Sequence, residues 1–218
     1  MMSGVTGTRM TWVCTELLAL WVVLPLLLWT DALPAVYRIS VLVVAAVYAL
    51  WVVRLEGVQC DELGFRGLVG FVPSCLQGVG WVAAAVPVLL VAAALLPGGV
   101  VVGSLGRTRP ESLLALLLFY AGISVTSQEF LYSSFFFWRY RPLFSPGFLV
   151  GLNAVVFAVA HLVYDSWVSI GLALAGRVIM ARIYRRHGSF WGVWLVHLLL
   201  GVAVFLVGLG RYFYRSPG

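Results

Sequence analysis

Lysine is missing altogether, so all 14 basic residues of the chain are arginines, and acidic residues number only 8. Charged residues make up 10% of the sequence, against about 25% in a soluble globular domain. That scarcity excludes a single core wrapped in a water-facing polar shell. Cysteine is scarce as well. Cys14, Cys60 and Cys75 form an odd set without metal-like spacing, which excludes a disulfide framework and leaves them as packing residues. Asparagine occurs once, as Asn153. The arginines are scattered at the ends of apolar runs and form no basic stripe, which argues against a nucleic-acid partner. Arginine used to the exclusion of lysine, beside abundant Val, Ala, Gly and Leu, is the usage of a GC-rich bacterial genome.

What is there is apolar: 62% of the 218 residues. These residues come in blocks of about 20, the length that crosses a hydrocarbon core roughly 30 Å thick. Seven such blocks are expected as spans, at 11–29, 38–53, 76–96, 112–138, 146–164, 166–184 and 189–208. In lipid the backbone must satisfy its own hydrogen bonds, and no block alternates like an outer-membrane strand, so each span is a helix. The fold class is all-α, a polytopic transmembrane bundle. Its expected organisation is two N-terminal helices in 1–54, a membrane core in 55–210 and a short tail at 211–218. The first block contains Glu16 and no small-residue cleavage site follows it, so it reads as a retained helix rather than a removable signal.

Between the spans lie Pro97-Gly98-Gly99, Arg109-Pro110, Arg141-Pro142 and Pro146-Gly147, with Ser112 as the expected N-cap of the fourth helix. Residues 54–76 mix charge with Leu, Phe and Val and are expected in the interface as an amphipathic segment. Phe135-Phe136-Phe137-Trp138 reads as an interfacial aromatic belt. Loops on the N-terminal side of a seven-span chain hold eight arginines, against five on the other side. The positive-inside rule then places the N-terminus in the cytoplasm.

Three polar islands interrupt the apolar helices: Gln128-Glu129, His161 and His197. A charged side chain in a span costs about 2.5–3.5 kcal/mol on insertion scales, and such residues mark reaction or transport sites. On the fifth span Asn153, Phe157, His161 and Asp165 recur at four-residue intervals and share one face. Asp165 is expected either to orient His161 or to cap the next helix. Three helices can thus bring a carboxylate and two imidazoles to one point near mid-membrane. That set suffices for hydrolysis without a covalent intermediate. The carboxylate acts on water as general base, and the histidines hold the water or donate to the developing oxyanion.

The order and spacing of these residues resemble the CPBP group of intramembrane proteases, which includes the CAAX prenyl endopeptidases and the Abi bacteriocin-immunity proteins. The signatures of that group are EExxxR, FxxxH and HxxxN or HxxxB on successive helices. The first stands here as Gln128-Glu129-Phe130-Leu131-Tyr132-Ser133, the second as Phe157-Ala158-Val159-Ala160-His161, and the third as His197-Leu198-Leu199-Leu200-Gly201. A basic turn, Arg185-Arg186-His187-Gly188-Ser189-Phe190-Trp191, precedes the last motif, and residues 56–67 are similar to the group's linker before the core. The resemblance covers residues 55–207 and is strongest over 112–201. It departs at three signature positions: Gln128 for the first glutamate, Ser133 for the arginine and Gly201 for the asparagine. Glu129 lies about 100° round the helix from Gln128. It takes over the first glutamate's place only if the helix turns or shifts. Arg177, inside the sixth span, is the candidate replacement for the missing arginine.

The resemblance implies a glutamic-type intramembrane endopeptidase in a bacterial cytoplasmic membrane. It would act on a membrane protein or lipid-anchored peptide tail amid membrane lipids, with cleavage near one membrane face. Glu129, His161 and His197 are the implied catalytic residues, and Gln128, Phe157, Ser133 and Gly201 line the site. No cofactor is expected. Zinc would need three protein ligands, which His161, His197 and Glu129 can supply in number, but no HExxH pair is present. Two rival functions remain open. One is a catalytically inactive relative acting as a binding, immunity or scaffold partner, and the other is a small proton-coupled transporter, which calls for inverted repeats and broken helices.

Overall fold

The computed structural model describes residues 7–100 and 118–213. Among these, every regular element is helical, and each of the seven expected spans contains a helix. They are α1 (Met10–Trp29), α2 (Ala35–Leu55), α3 (Phe71–Leu95), α4 (120–140), α5 (Pro146–Tyr164), α6 (Trp167–His187) and α7 (Phe190–Leu206). Five of them (α1, α2, α3, α5 and α6) are long and apolar enough to cross a bilayer, and α7 is a shorter apolar helix. The protein is a multi-pass membrane protein. The expected start of the fourth span at Ser112, with its cap, lies outside the described residues.

Local chemistry explains several helix ends and irregularities. In α1 a wide π turn, Ala19–Val23, precedes Pro25. Proline has no N–H to donate, and its ring would crowd the carbonyl four residues back, so a loosened turn there relieves both problems. Pro146 opens α5 at the first helical position, where the N–H would have no partner anyway. The Ser166 Oγ accepts from the Ser169 N–H to cap α6 at 3.4 Å, and the Ser189 Oγ accepts from the Gly192 N–H to cap α7 at 3.1 Å. Asp165 neither caps α6 nor meets His161. It takes a left-handed conformation (φ 51°) after the 3₁₀ turn that closes α5, which carries it off the Asn153–His161 face.

Two other expectations are corrected. Residues 54–76, expected as an amphipathic segment, form no single helix. Leu55 ends α2, a 3₁₀ turn occupies Cys60–Leu63 with a Gln59/Glu62 capping box, and left-handed Gly64, Gly67 and Gly70 turn the chain into α3. Backbone hydrogen bonds pin this linker to the bundle: the Leu63 carbonyl accepts from the Ser134 and Tyr184 hydroxyls, and the Gly64 carbonyl from the Phe190 N–H. Nor are Phe135, Phe136 and Phe137 an interfacial belt. All three are buried in the main core, where Phe136 packs edge-on against Trp21 and Tyr140.

That core joins the N-terminal helices to the rest. Trp21 of α1 and Ala49, Val52 and Val53 of α2 belong to one buried cluster with residues of α4–α7. Glu16 fastens α1 further. Its carboxylate accepts from both Nε and Nη2 of Arg139 at 3.0 Å and from the hydroxyls of Tyr140 and Tyr48. On the other side of the bundle α3 and α7 approach so closely that small residues are obligatory. A Cβ added to Gly78 would lie 2.1 Å from Val196 Cγ2, and one added to Gly192 would lie 2.3 Å from Ser74 Cβ.

Candidate active site

α4 is wound as π helix over Tyr120–Val125 and again over Phe130–Phe135, with the α-helical turn Thr126–Glu129 between them. π turns widen the helix and re-aim side chains, and they recur at functional sites. Here they present Gln128 and Glu129 to different surroundings. Gln128 is half-buried and faces a cleft. Glu129 is fully buried, with 0% of its surface exposed.

The Glu129 carboxylate is met from three directions. Arg177 Nη1 from α6 donates to both oxygens at 2.9 Å. His197 Nδ1 from α7 lies 2.6 Å from Oε1, and the Ser133 hydroxyl donates to Oε2 at 2.6 Å. Arg177 is itself completely buried. Its Nη2 donates to Ser133 Oγ at 2.9 Å and its Nε to Asn153 Oδ1 at 2.6 Å, while Asn153 Nδ2 donates to the Tyr132 carbonyl. The guanidinium also lies 5.6 Å and 5.5 Å from the ring centroids of Tyr132 and Phe157, within cation–π range. An ion pair removed from water persists only where its remaining donors and acceptors are satisfied, and this network satisfies them. The arginine absent from position 133 is thus replaced in space. It arrives from another helix, with its Nη2 on the serine that occupies that position.

His161 opens the 3₁₀ turn at the end of α5, toward one end of the bundle. Its Nδ1 lies 2.8 Å from the Phe157 carbonyl oxygen, an acceptor, so Nδ1 carries the proton and Nε2 is the free acceptor. The same logic applies to His197, whose Nδ1 faces a carboxylate. The Phe157 ring stands between the two imidazoles, 4.7 Å from the centroid of His161 and 6.0 Å from that of His197.

Both imidazoles, with Gln128, Phe157 and Gly201, line a cleft of about 200 Å³. A second, mainly apolar cleft of about 110 Å³ runs between α1 and α2 past Leu24, Leu28 and Leu42. The two share Gln128, Phe157 and His161 and so meet at the site. Of the residues expected to line the site, Ser133 is the exception, enclosed instead in the ion-pair network. Sequence reasoning missed Tyr120, which reaches the cleft from the first π turn of α4. Asn153, which the spacing placed on the face of His161, instead holds Arg177. The lone asparagine and the arginine at the middle of the sixth span were the available signal for that pairing.

The donor set does not fit tetrahedral zinc. Among the described residues no three His, Cys, Asp or Glu side chains converge, and both Glu129 oxygens are held by a guanidinium that would repel a dication.

Residues 110–203 match the family profile described as type II CAAX prenyl endopeptidase Rce1-like. This segment is similar to an Rce1-like CAAX endopeptidase domain. The matched segment contains Gln128, Glu129, His161, Arg177, His197 and Gly201, the residues that build the cleft and the network behind it. No curated protein and no solved structure matches the chain.

Proposed function

We propose that the protein is an intramembrane endopeptidase that hydrolyses a peptide bond in a membrane-anchored protein or peptide tail, with a water molecule as nucleophile and no metal. The observation that carries this reading is the pair of imidazoles sharing one cleft, each with Nδ1 engaged and with Nε2 left without a partner among the described residues. His197 is the base. When its Nε2 takes a proton from water, the imidazolium is stabilised by the Glu129 carboxylate 2.6 Å from Nδ1, whereas His161 has only a carbonyl dipole behind it. His161 Nε2 accepts a hydrogen bond from the water's other O–H, which stays on oxygen, and so orients it. The hydroxide oxygen bonds to the carbonyl carbon, the carbonyl electrons pass to oxygen, and collapse of the tetrahedral intermediate expels the amine, which His197 protonates. Glu129 therefore acts on water through His197, as a positioning residue, since neither of its oxygens is free to hold water directly. Gln128 lines the cleft with its Nε2 donating to Ser124 Oγ at 2.8 Å.

The apolar cleft between α1 and α2 suits an apolar side chain of the substrate. The arginine-only composition and the arginine excess on one side support a bacterial cytoplasmic membrane. The test is mass-spectrometric profiling of membrane-protein termini in the native host, comparing wild type with His161→Ala and His197→Ala at matched expression. The expected result is one uncleaved precursor accumulating in both variants. Unchanged termini in both would overturn the reading in favour of an inactive, partner-binding relative, for which the fully engaged Glu129 would be a purely structural pillar.

A further inference from the structure

Peptide hydrolysis needs a hydrogen-bond donor at the oxygen that becomes negatively charged, and the polar groups so far placed in the cleft present acceptors. His161 and His197 offer Nε2 lone pairs, and the Gln128 amide nitrogen is already bound to Ser124. One hydroxyl stands out. Tyr120 lines the same cleft, and its ring packs edge-on against the His197 ring at 6.2 Å. Its hydroxyl reaches over Gly201, one helical turn beyond His197. A Cβ added to Gly201 would lie 2.0 Å from Tyr120 Oη and 2.7 Å from Cζ, so glycine is required there to make room for the phenol. Among the described residues that hydroxyl has no hydrogen-bond partner, although phenol hydroxyls in apolar surroundings usually find one.

We propose that Tyr120 is a catalytic residue, its hydroxyl donating the hydrogen bond that stabilises the oxyanion of the tetrahedral intermediate. The inference rests on the hydrolytic reading above. The tyrosine keeps its proton throughout: the carbonyl π electrons move to oxygen as hydroxide attacks, the Oη–H bond points at that oxygen, and both return when the amine leaves. The absence of a polar side chain at position 201 then has a physical reason. The donor comes from α4 instead of α7, and the two cannot occupy the same volume. Arg38 also faces the cleft, but its guanidinium sits over the Tyr164 ring at 5.7 Å, at the mouth of the cleft.

The experiment takes the precursor that accumulates with H197A, synthesises the peptide spanning its cleavage junction, and measures steady-state hydrolysis by the purified full chain in detergent. Four proteins are compared: wild type, Y120F, Y120A/G201N and H197A. Loss of one oxyanion donor lowers kcat by about 10²–10³-fold, so Y120F is expected to lose about 100-fold in kcat with KM within about 2-fold, and with an unchanged unfolding temperature. In Y120A/G201N the whole ring is gone, an asparagine amide enters the space it leaves, and kcat is expected to recover by about 10-fold or more over Y120F. Wild-type kcat in Y120F, or an equal rise in KM without loss of kcat, overturns the assignment of Tyr120 while leaving the protease reading intact. If no precursor accumulates with H197A, or H197A cleaves the peptide as wild type does, the protease reading itself fails. The two failures are therefore told apart.

Discussion

Arg177 and Glu129 stand 48 residues apart in sequence, and neither has any surface exposed to solvent. Each is tolerable there only because the other is present: removing one partner of a buried pair leaves an uncompensated charge and costs about 3–5 kcal/mol. Arg177→Met is therefore expected to destabilise the protein by about that amount, read as a lowered thermal midpoint of the detergent-solubilised protein. The double variant Arg177→Met with Glu129→Leu should recover much of the loss, because no lone charge remains. Equal midpoints for wild type and Arg177→Met would mean the pair contributes nothing. Glu129→Gln probes a different property. It removes the negative charge behind His197 and leaves the volume in place, so hydrolysis of the precursor peptide should fall by about 10²–10⁴-fold, the range seen when a base loses its orienting carboxylate. It also leaves the buried Arg177 charge unpaired and should lower the thermal midpoint, so hydrolysis is compared below that midpoint, with folding checked by size-exclusion chromatography.

Between helices the decisive contacts are small. α3 and α7 meet through Gly78 against Val196 and Ser74 against Gly192, with no room for a β-carbon at either glycine. Gly78→Ile forces α7 outward and is expected to cost about 1–3 kcal/mol, as overpacked cores do. Because α7 carries His197, activity should fall with it. A wild-type thermal midpoint for Gly78→Ile would show that α3 can move away freely. α1 is held by a different contact, the bond of Glu16 to Arg139, Tyr140 and Tyr48. Glu16→Ala should loosen α1 from α4 and raise proteolytic cleavage in the 30–34 connection, with the rest of the bundle intact. At this scale the sequence was legible in part. Apolar runs located the helices, but the same hydrophobicity made Phe135–Phe137 look like a membrane-facing belt. In a protein apolar on both its lipid and its core faces, periodicity does not say which way an aromatic points.

Charge separates the two ends of the bundle. Glu56, Arg66, Arg139, Arg141, Arg185 and Arg186 gather at one end, where Arg139 pairs with Glu56 and Arg141 with Glu62. The candidate site lies toward the other end, with Arg38, Tyr164 and Phe213 around its mouth. The positive-inside rule assigns the arginine-rich end to the cytoplasm and the site to the opposite face. Cysteine reporters in a background lacking Cys14, Cys60 and Cys75 test this. Val36→Cys should react with a membrane-impermeant thiol reagent in intact cells, and Leu68→Cys only after permeabilisation, both positions being exposed. The reverse pattern would invert the orientation and put cleavage on the cytoplasmic face. The sequence by itself determined the membrane class, the helical fold and the residues worth watching, because hydropathy and i, i+4 spacing are properties of a single helix. Only the tertiary structure decided that Arg177 stands in for an arginine at position 133, that Glu129 backs His197 instead of facing the cleft, and that Tyr120 fills the space above Gly201. Those facts depend on how helices are rotated against one another, and that rotation is set by packing and by the winding of α4, which no single segment encodes.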